Sequence, residues 1–206
     1  MIAIIDYDAG NMKSVEKALQ FLGEDSVVTR DPALILQADK AILPGVGAFG
    51  DAMKNLGKFG LVDVIRRFAA SGKPFLGICL GLQLLFDESE ETPGVKGLGL
   101  LPGRIMKIPA GEGLKIPHMG WNSLEITDGA RLFKGLKQGT YVYFVHSYYL
   151  KAEDPSIVVA KTWYGTEIHA SVESGNIFAC QFHPEKSGEV GLRMLKAFCE
   201  TEGIAV

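Results

Sequence analysis

Cysteine is scarce in this chain. Only Cys79, Cys180 and Cys199 occur in 206 residues. An odd number without metal-type spacing argues against a disulfide framework and points to a reducing compartment. There is no excess of basic charge. The net charge of -3 excludes the electrostatic footprint of a nucleic-acid binder, and the acidic excess is too small to imply a basic partner. No apolar run approaches the length needed to span a membrane. The opening Met1-Ile2-Ala3-Ile4-Ile5-Asp6 has no basic segment, and its apolar run is too short for a signal peptide. A cytoplasmic location is the expectation. Internal repeats, low-complexity tracts and linkers are missing too, so one domain over 1–206 is expected, long enough to bury a sizeable core.

What is present is alternation. Residues 2–5, Ser26–Thr29, Lys40–Leu43 and Phe75–Ile78 read as short apolar strands. Helical spacing fills Met12–Leu22, with Gly23 as a stop, and Leu61–Ala70. Strands alternating with helices predict a mostly parallel sheet covered on both faces, with ligands beyond the carboxyl ends of its strands. After Glu91 the character changes. Shorter strands are expected at 103–108, 122–126, 141–147, 157–161, 168–173 and 177–181, joined by Gly/Asp turns such as Asp128-Gly129 and Ser174-Gly175-Asn176. These suggest added antiparallel strands. A closing helix is expected over Gly188–Cys199.

The stretch around which the rest is organised is Phe75-Leu76-Gly77-Ile78-Cys79-Leu80-Gly81. An apolar strand ends in Gly-x-Cys-x-Gly and a helical pattern follows, the shape of a nucleophile elbow with Cys in place of Ser. Small neighbours leave room for a strained turn residue. A helix N-terminus at Cys79 is expected to favour the thiolate, and the Leu80 N–H to face an oxyanion. A buried core cysteine is the competing reading.

A thiol nucleophile needs a base, and the base an orienting group. Of the histidines, His183 follows a strongly apolar strand. Pro184 stops that strand, and Glu185 can fold back onto the ring. Cys79, His183 and Glu185 therefore form a candidate triad. His183 alone would read as a turn histidine, and Glu185 as a solvated carboxylate. Pro44-Gly45-Val46-Gly47 is a flexible loop whose Gly45, Val46 and Gly47 N–H groups, with that of Leu80, are candidates for an oxyanion hole. The plainer alternative is a Gly-rich turn.

The elbow and Phe182-His183-Pro184-Glu185 are similar to the two signatures of the class I (triad) glutamine amidotransferases, and the chain resembles that family over its whole length. The resemblance implies a three-layer α/β/α, flavodoxin-like fold and hydrolysis of glutamine to glutamate and ammonia through a Cys79 thioester, with no metal and no organic cofactor. It carries over Gln83, Ser147, Tyr148 and Tyr149 as contacts to the glutamine head. Further stretches, Asp6-Tyr7 with Gly10-Asn11, Pro117-His118-Met119-Gly120-Trp121-Asn122 and Tyr143-Phe144-Val145-His146-Ser147-Tyr148, resemble the branch whose ammonia feeds a (β/α)₈-barrel cyclase subunit in histidine biosynthesis. In that branch Asn11, Trp121, Tyr143 and Lys186 are implied as partner-facing or gating residues of a heterodimer. Asp8 departs from the pattern, which has Gly there. Alternatives are a glutaminase serving pyridoxal phosphate or anthranilate synthesis, a Cys-dependent peptidase or deglycase, and a redox-sensing module.

Overall fold

The computed structural model describes residues 1–204. Its first half runs β1 (Ile2–Ile5), α1 (Met12–Phe21), β2 (Ser26–Thr29), α2 (Pro32–Gln37), β3 (Lys40–Leu43), α3 (Phe49–Lys58), α4 (Leu61–Ala70), β4 (Phe75–Ile78) and α5 (Leu80–Leu84). The second half adds β5 (Glu88–Ser89), β6 (Gly103–Lys107), β7 (His118–Ser123), β8 (Glu125–Ile126), β9 (Tyr141–His146), β10 (Tyr148–Ala152), β11 (Val158–Trp163), β12 (Glu167–Ser174), β13 (Ile177–Cys180) and α6 (Gly188–Glu200). The first four strands fall where their apolar runs predict. The stretch 122–126 divides between β7 and β8, and β10 is an additional strand. No helix among the described residues is long and apolar enough to cross a membrane.

The main sheet has the order β2-β1-β3-β4-β13-β12-β11-β8. β1, β2, β3, β4 and β13 pair in parallel, whereas β12, β11 and β8 extend the sheet antiparallel. Side-chain alternation divides the core. Ala3, Ile5 and Phe75 pack on one face with Ile35, Phe49, Leu56 and Phe68 from α2, α3 and α4. Ile2, Ile4, Leu76 and Ile78 pack on the other with Val15 and Leu19 of α1 and Leu195 and Phe198 of α6. Burial on both faces is why these strands are apolar throughout instead of alternating. α2 starts on a local signal: the Asp31 carboxylate accepts from the N–H of Ala33 at 2.7 Å, and Pro32 occupies the first turn.

Two small sheets lie outside the main one. β10 pairs with β6 and β6 with β5, while β7 and β9 form an antiparallel ribbon with Trp121 opposite Tyr143. The decisive adjacency is β4 beside β13. Their register places Cys180 opposite Ile78, so the residues after both strands emerge at the same sheet end.

Candidate active site

Cys79 follows β4 with φ 55° and ψ -107°, a conformation rarely populated by a side-chain-bearing residue. Its neighbours explain how the chain holds it. A Cβ on Gly81 would lie 1.7 Å from the Leu43 carbonyl oxygen, and one on Gly77 would lie 2.8 Å from the Gly81 carbonyl oxygen. Both glycines are therefore fixed by close backbone approach. The Cys79 N–H donates to the Cys180 carbonyl at 2.8 Å, tying the elbow to β13. α5, however, is only five residues long. The expected help from a helix dipole is correspondingly small, because few peptide dipoles align there.

His183 comes off β13 beside the elbow. Its Nδ1 lies 2.7 Å from Glu185 Oε1, and both side chains are fully buried. His183 Nε2 is buried with no hydrogen-bond partner among the described residues. Burial opposes the imidazolium, but the nearby Cys79 and the Glu185 carboxylate bonded to Nδ1 outweigh it and push His183 up to about 9. The base thus favours a proton, the state a thiolate partner requires. Asn11, at φ 80°, donates through Nδ2 to the same Glu185 oxygen. Glu185 Oε2 is buried without a partner among the described residues.

Cys79 opens onto a cavity of about 290 Å³. Gln83, Glu91, Val46, His146 and Tyr148 line it, and so does Ser147. Tyr149 is not among the lining residues, so the structure separates it from the other three expected head contacts. Gln83 is buried rather than on a helix surface. Glu91 is a residue sequence reasoning missed. It is the one carboxylate in the lining, and its Oε2 accepts from the Phe49 N–H at 2.7 Å. Its position in a region poor in regular structure gave no periodic signal. A larger depression, near Asp128 and Arg131, is remote from the thiol.

The Pro44–Gly47 loop lies at the cavity wall. Tyr7 Oη donates to the Pro44 carbonyl at 2.8 Å, and a Cβ on Gly45 would sit 1.9 Å from that hydroxyl. The Leu80 N–H is occupied: it donates to the Gly45 carbonyl at 3.3 Å. In this state the loop fills the place where an oxyanion would find that donor. Val46 is exposed, and Gly47 has φ 119°.

Trp121 and Tyr143 meet edge to face with ring centroids 6.1 Å apart. The Tyr143 carbonyl accepts from the His183 N–H at 3.0 Å, and the Lys186 N–H donates to the His183 carbonyl at 3.0 Å. These two residues contact His183 and Asn11 contacts Glu185, while Trp121, packed on Tyr143, is exposed. His146, in the cavity lining, and His118 are 3.0 Å apart, Nε2 to Nδ1. Burial pushes His146 down to about 3 and His118 down to about 4. Both are neutral structural groups at neutral pH. His169 accepts the Ala152 N–H at 3.1 Å, away from the thiol.

The family model of class-I glutamine amidotransferases matches residues 3–201. The imidazole glycerol phosphate synthase subunit HisH of Syntrophotalea carbinolica is 54% identical over 203 residues, covering 96% of this chain and 98% of the relative. The protein of the same name from Methanothermobacter thermautotrophicus is 53% identical over 200 residues, covering 97% and 98%. Among solved structures, a glutamine amidotransferase superimposes with a TM-score of 0.76 at 21% identity, covering 97% of this chain and 98% of that one. PurLQS from Thermotoga maritima gives 0.71 at 24% identity, covering 96% of each. At those identities the solved structures speak for the fold alone.

Proposed function

The chain belongs to the class-I glutamine amidotransferase family, and from that premise we propose that it is the glutaminase subunit of an imidazole glycerol phosphate synthase. It hydrolyses glutamine to glutamate and ammonia in the cytoplasm, and passes the ammonia to a (β/α)₈-barrel cyclase partner in histidine biosynthesis. The observation that carries this reading is Cys79 on a strained elbow, backed by the buried His183–Glu185 pair and facing a cavity that holds Gln83 and Glu91.

The chemistry follows from the groups present. Glu91 offers the anion that a substrate α-ammonium needs, and Gln83 with the Ser147–Tyr148 segment supplies polar contacts for the rest of the head. The Cys79 thiolate attacks the side-chain amide carbon. A C–S bond forms and the carbonyl electrons move to oxygen. On collapse the C–N bond breaks, and the His183 proton goes to the departing nitrogen, which leaves as ammonia. Neutral His183 then takes a proton from water. The resulting hydroxide attacks the γ-glutamyl thioester, the C–S bond breaks, and glutamate is released. His183 keeps the proton and Cys79 returns as thiolate. Glu185 holds the ring through Nδ1 throughout.

The oxyanion requires donors that the loop withholds in this state. Rotating the Gly45–Val46 peptide would take the Gly45 carbonyl off the Leu80 N–H and turn the Val46 N–H inward. Gly45 and Gly47 flank the moving residue and absorb the rotation. Val46 is exposed, and a Cβ on Gly10 would lie 3.0 Å from its side chain, which sets the loop beside Asn11 of the face proposed for the cyclase. Docking there would favour the rotated peptide and raise glutaminase turnover.

The test is glutamate release from glutamine by the chain alone and with a cyclase subunit carrying its nucleotide ligand, with Cys79→Ala alongside. Turnover stimulated at least tenfold in the complex and abolished by Cys79→Ala is the expected result. Equal turnover alone and in complex would remove the gate and keep the triad. No turnover in either setting would overturn this assignment and favour a glutaminase of another synthase.

A further inference from the structure

We propose that Gln181 is a further catalytic residue, whose side-chain N–H stabilises the Cys79 sulfur as thiolate and whose orientation is dictated by the Tyr148 main-chain carbonyl. The inference rests on the reading of Cys79 as nucleophile given above. Gln181 lies directly after β13 and is fully buried. Its Nε2 is 3.8 Å from Cys79 Sγ, a long contact typical of a sulfur acceptor.

The orientation of this amide follows from elementary donor and acceptor rules. A carbonyl oxygen can only accept. The Tyr148 carbonyl lies 3.0 Å from Gln83 Nε2, so that end of the Gln83 side chain must be its NH₂ group. The second hydrogen of that group meets Gln181 Oε1 at 3.1 Å. Gln181 is therefore obliged to present its oxygen to Gln83 and its NH₂ to the sulfur. Reversing Gln181 would set two NH₂ groups against each other in a buried space, at the cost of an unsatisfied polar group. The same Tyr148 carbonyl also meets His146 Nδ1 at 2.8 Å, which puts the proton of neutral His146 on Nδ1 and leaves Nε2 to accept from His118. Both lone pairs of the Tyr148 carbonyl are thereby used, and the hub is fixed from two sides.

The thiolate has few other sources of support. The helix after it is only five residues long. The Leu80 N–H is held by the Gly45 carbonyl, and the Cys79 N–H by the Cys180 carbonyl. The groups around Sγ are Tyr7 beside the loop, Cys180 on β13, His183 with Glu185 behind it, His146 across the cavity and Glu91 in its lining. Burial, reinforced for Tyr7 by the charge of Cys79 and for Cys180 by those of Glu185 and Cys79, pushes the Tyr7 phenol and the Cys180 thiol up, so both stay neutral. The Val145 carbonyl, 3.9 Å from Sγ, accepts from a thiol and repels a thiolate. Among the described residues, protonated His183 and the Gln181 N–H are the groups that favour the negative sulfur. His183 gives up its proton during the reaction, whereas the amide donor remains.

The experiment follows Cys79 alkylation by iodoacetamide across pH, in the full chain, which requires neither glutamine nor the cyclase. Gln181→Met keeps the volume and removes the donor. Its alkylation rate at pH 7 is expected to fall about tenfold, as for loss of a hydrogen bond to a charged group, and to recover at higher pH. In the complex, kcat for glutaminase should fall with KM within about twofold. Gln181→Glu retains the shape and sets a carboxylate beside the sulfur, so its alkylation should be slower still. In the unsubstituted chain, the Gln181 side-chain amide resonances should shift across the pH range of Cys79 alkylation, and this shift should vanish in Cys79→Ala. A parent-like alkylation profile in a folded Gln181→Met, or amide resonances indifferent to Cys79, would overturn the proposal. Because the alkylation readout needs no turnover, its failure is distinct from failure of the glutaminase assignment.

Discussion

Asn11 and Glu185 lie 174 residues apart in sequence and share a hydrogen bond, Asn11 Nδ2 donating to Glu185 Oε1. The Asn11 nitrogen is also 3.5 Å from His183 Nδ1. A residue that sequence resemblance assigns to the partner face thus also bears directly on the triad. Asn11→Ala removes one of the two donors to the buried Glu185 oxygen, and the remaining pair loses its lateral restraint. Glutaminase kcat is expected to fall about tenfold, as for one hydrogen bond to a charged group. Steady-state kinetics of the complex, with subunit affinity measured alongside, checks this. Unchanged kcat with weakened subunit binding would make Asn11 an interface residue only.

Gly81→Ala is expected to disrupt the elbow. The new methyl carbon would meet the Leu43 carbonyl oxygen at 1.7 Å, a backbone atom that cannot swing aside. Moving β3 or the start of α5 costs about 3 kcal/mol or more, in the range of severe core overpacking. Denaturant unfolding measures the loss, and a change under about 1 kcal/mol would contradict the packing described here.

Acid should destabilise the fold through the buried histidine pair. His118 is held down at about 4 and His146 at about 3, against about 6.5 in an unfolded chain. The unfolded state therefore binds more protons below that value. Stability is complete above about pH 6.5 and is lost as pH falls toward 4, with each histidine taking up about one proton on unfolding near pH 5. Unfolding free energies over this range should show that slope. In His118→Gln the slope should drop by about one proton, because one of the two titrating groups is gone. An unchanged slope would place the acid sensitivity elsewhere.

Asp8 adopts φ 61°, where the related pattern has Gly. Its carboxylate accepts from Arg30 Nη2 at 2.6 Å, Arg30 also bonds Asp6, and the guanidinium sits 4.2 Å from the Phe59 ring centre. Burial works against the Asp6 charge, but Arg30 and the Asp8 N–H hold its carboxyl below the usual range. Asp8→Gly relieves left-handed backbone strain of about 1 kcal/mol, gives the unfolded chain a similar amount of freedom, and loses an exposed ion pair of small worth. The net change in unfolding free energy should stay within about 1 kcal/mol. Asp8→Ala loses the ion pair and adds strain, because Ala tolerates the left-handed region less well than Asp, so it should be the less stable of the two variants.

The sequence by itself determined the local elements and the chemistry they can carry. Apolar runs buried on both faces specify β1, β3 and β4 almost to the residue, because a parallel strand covered by helices has no polar face to blur its ends, and the half-buried edge strand β2 shows through its Val27-Val28 pair. The Gly77-x-Cys79-x-Gly81 spacing announces an elbow because only glycine permits those backbone approaches. His183-Pro184-Glu185 is legible because its base and carboxylate are two residues apart, within reach of one turn. Tertiary structure decided everything that depends on which strands are neighbours. The pairing of β4 with β13 brings Cys79, Gln181 and His183 together across some hundred residues. No local pattern records that pairing, since any apolar strand satisfies it. Glu91 enters the cavity from an irregular segment, Tyr149 is left out of it, and the Gly45 carbonyl sits on the Leu80 N–H. Each is a matter of long-range packing and hydrogen bonding, which residue types permit but do not specify.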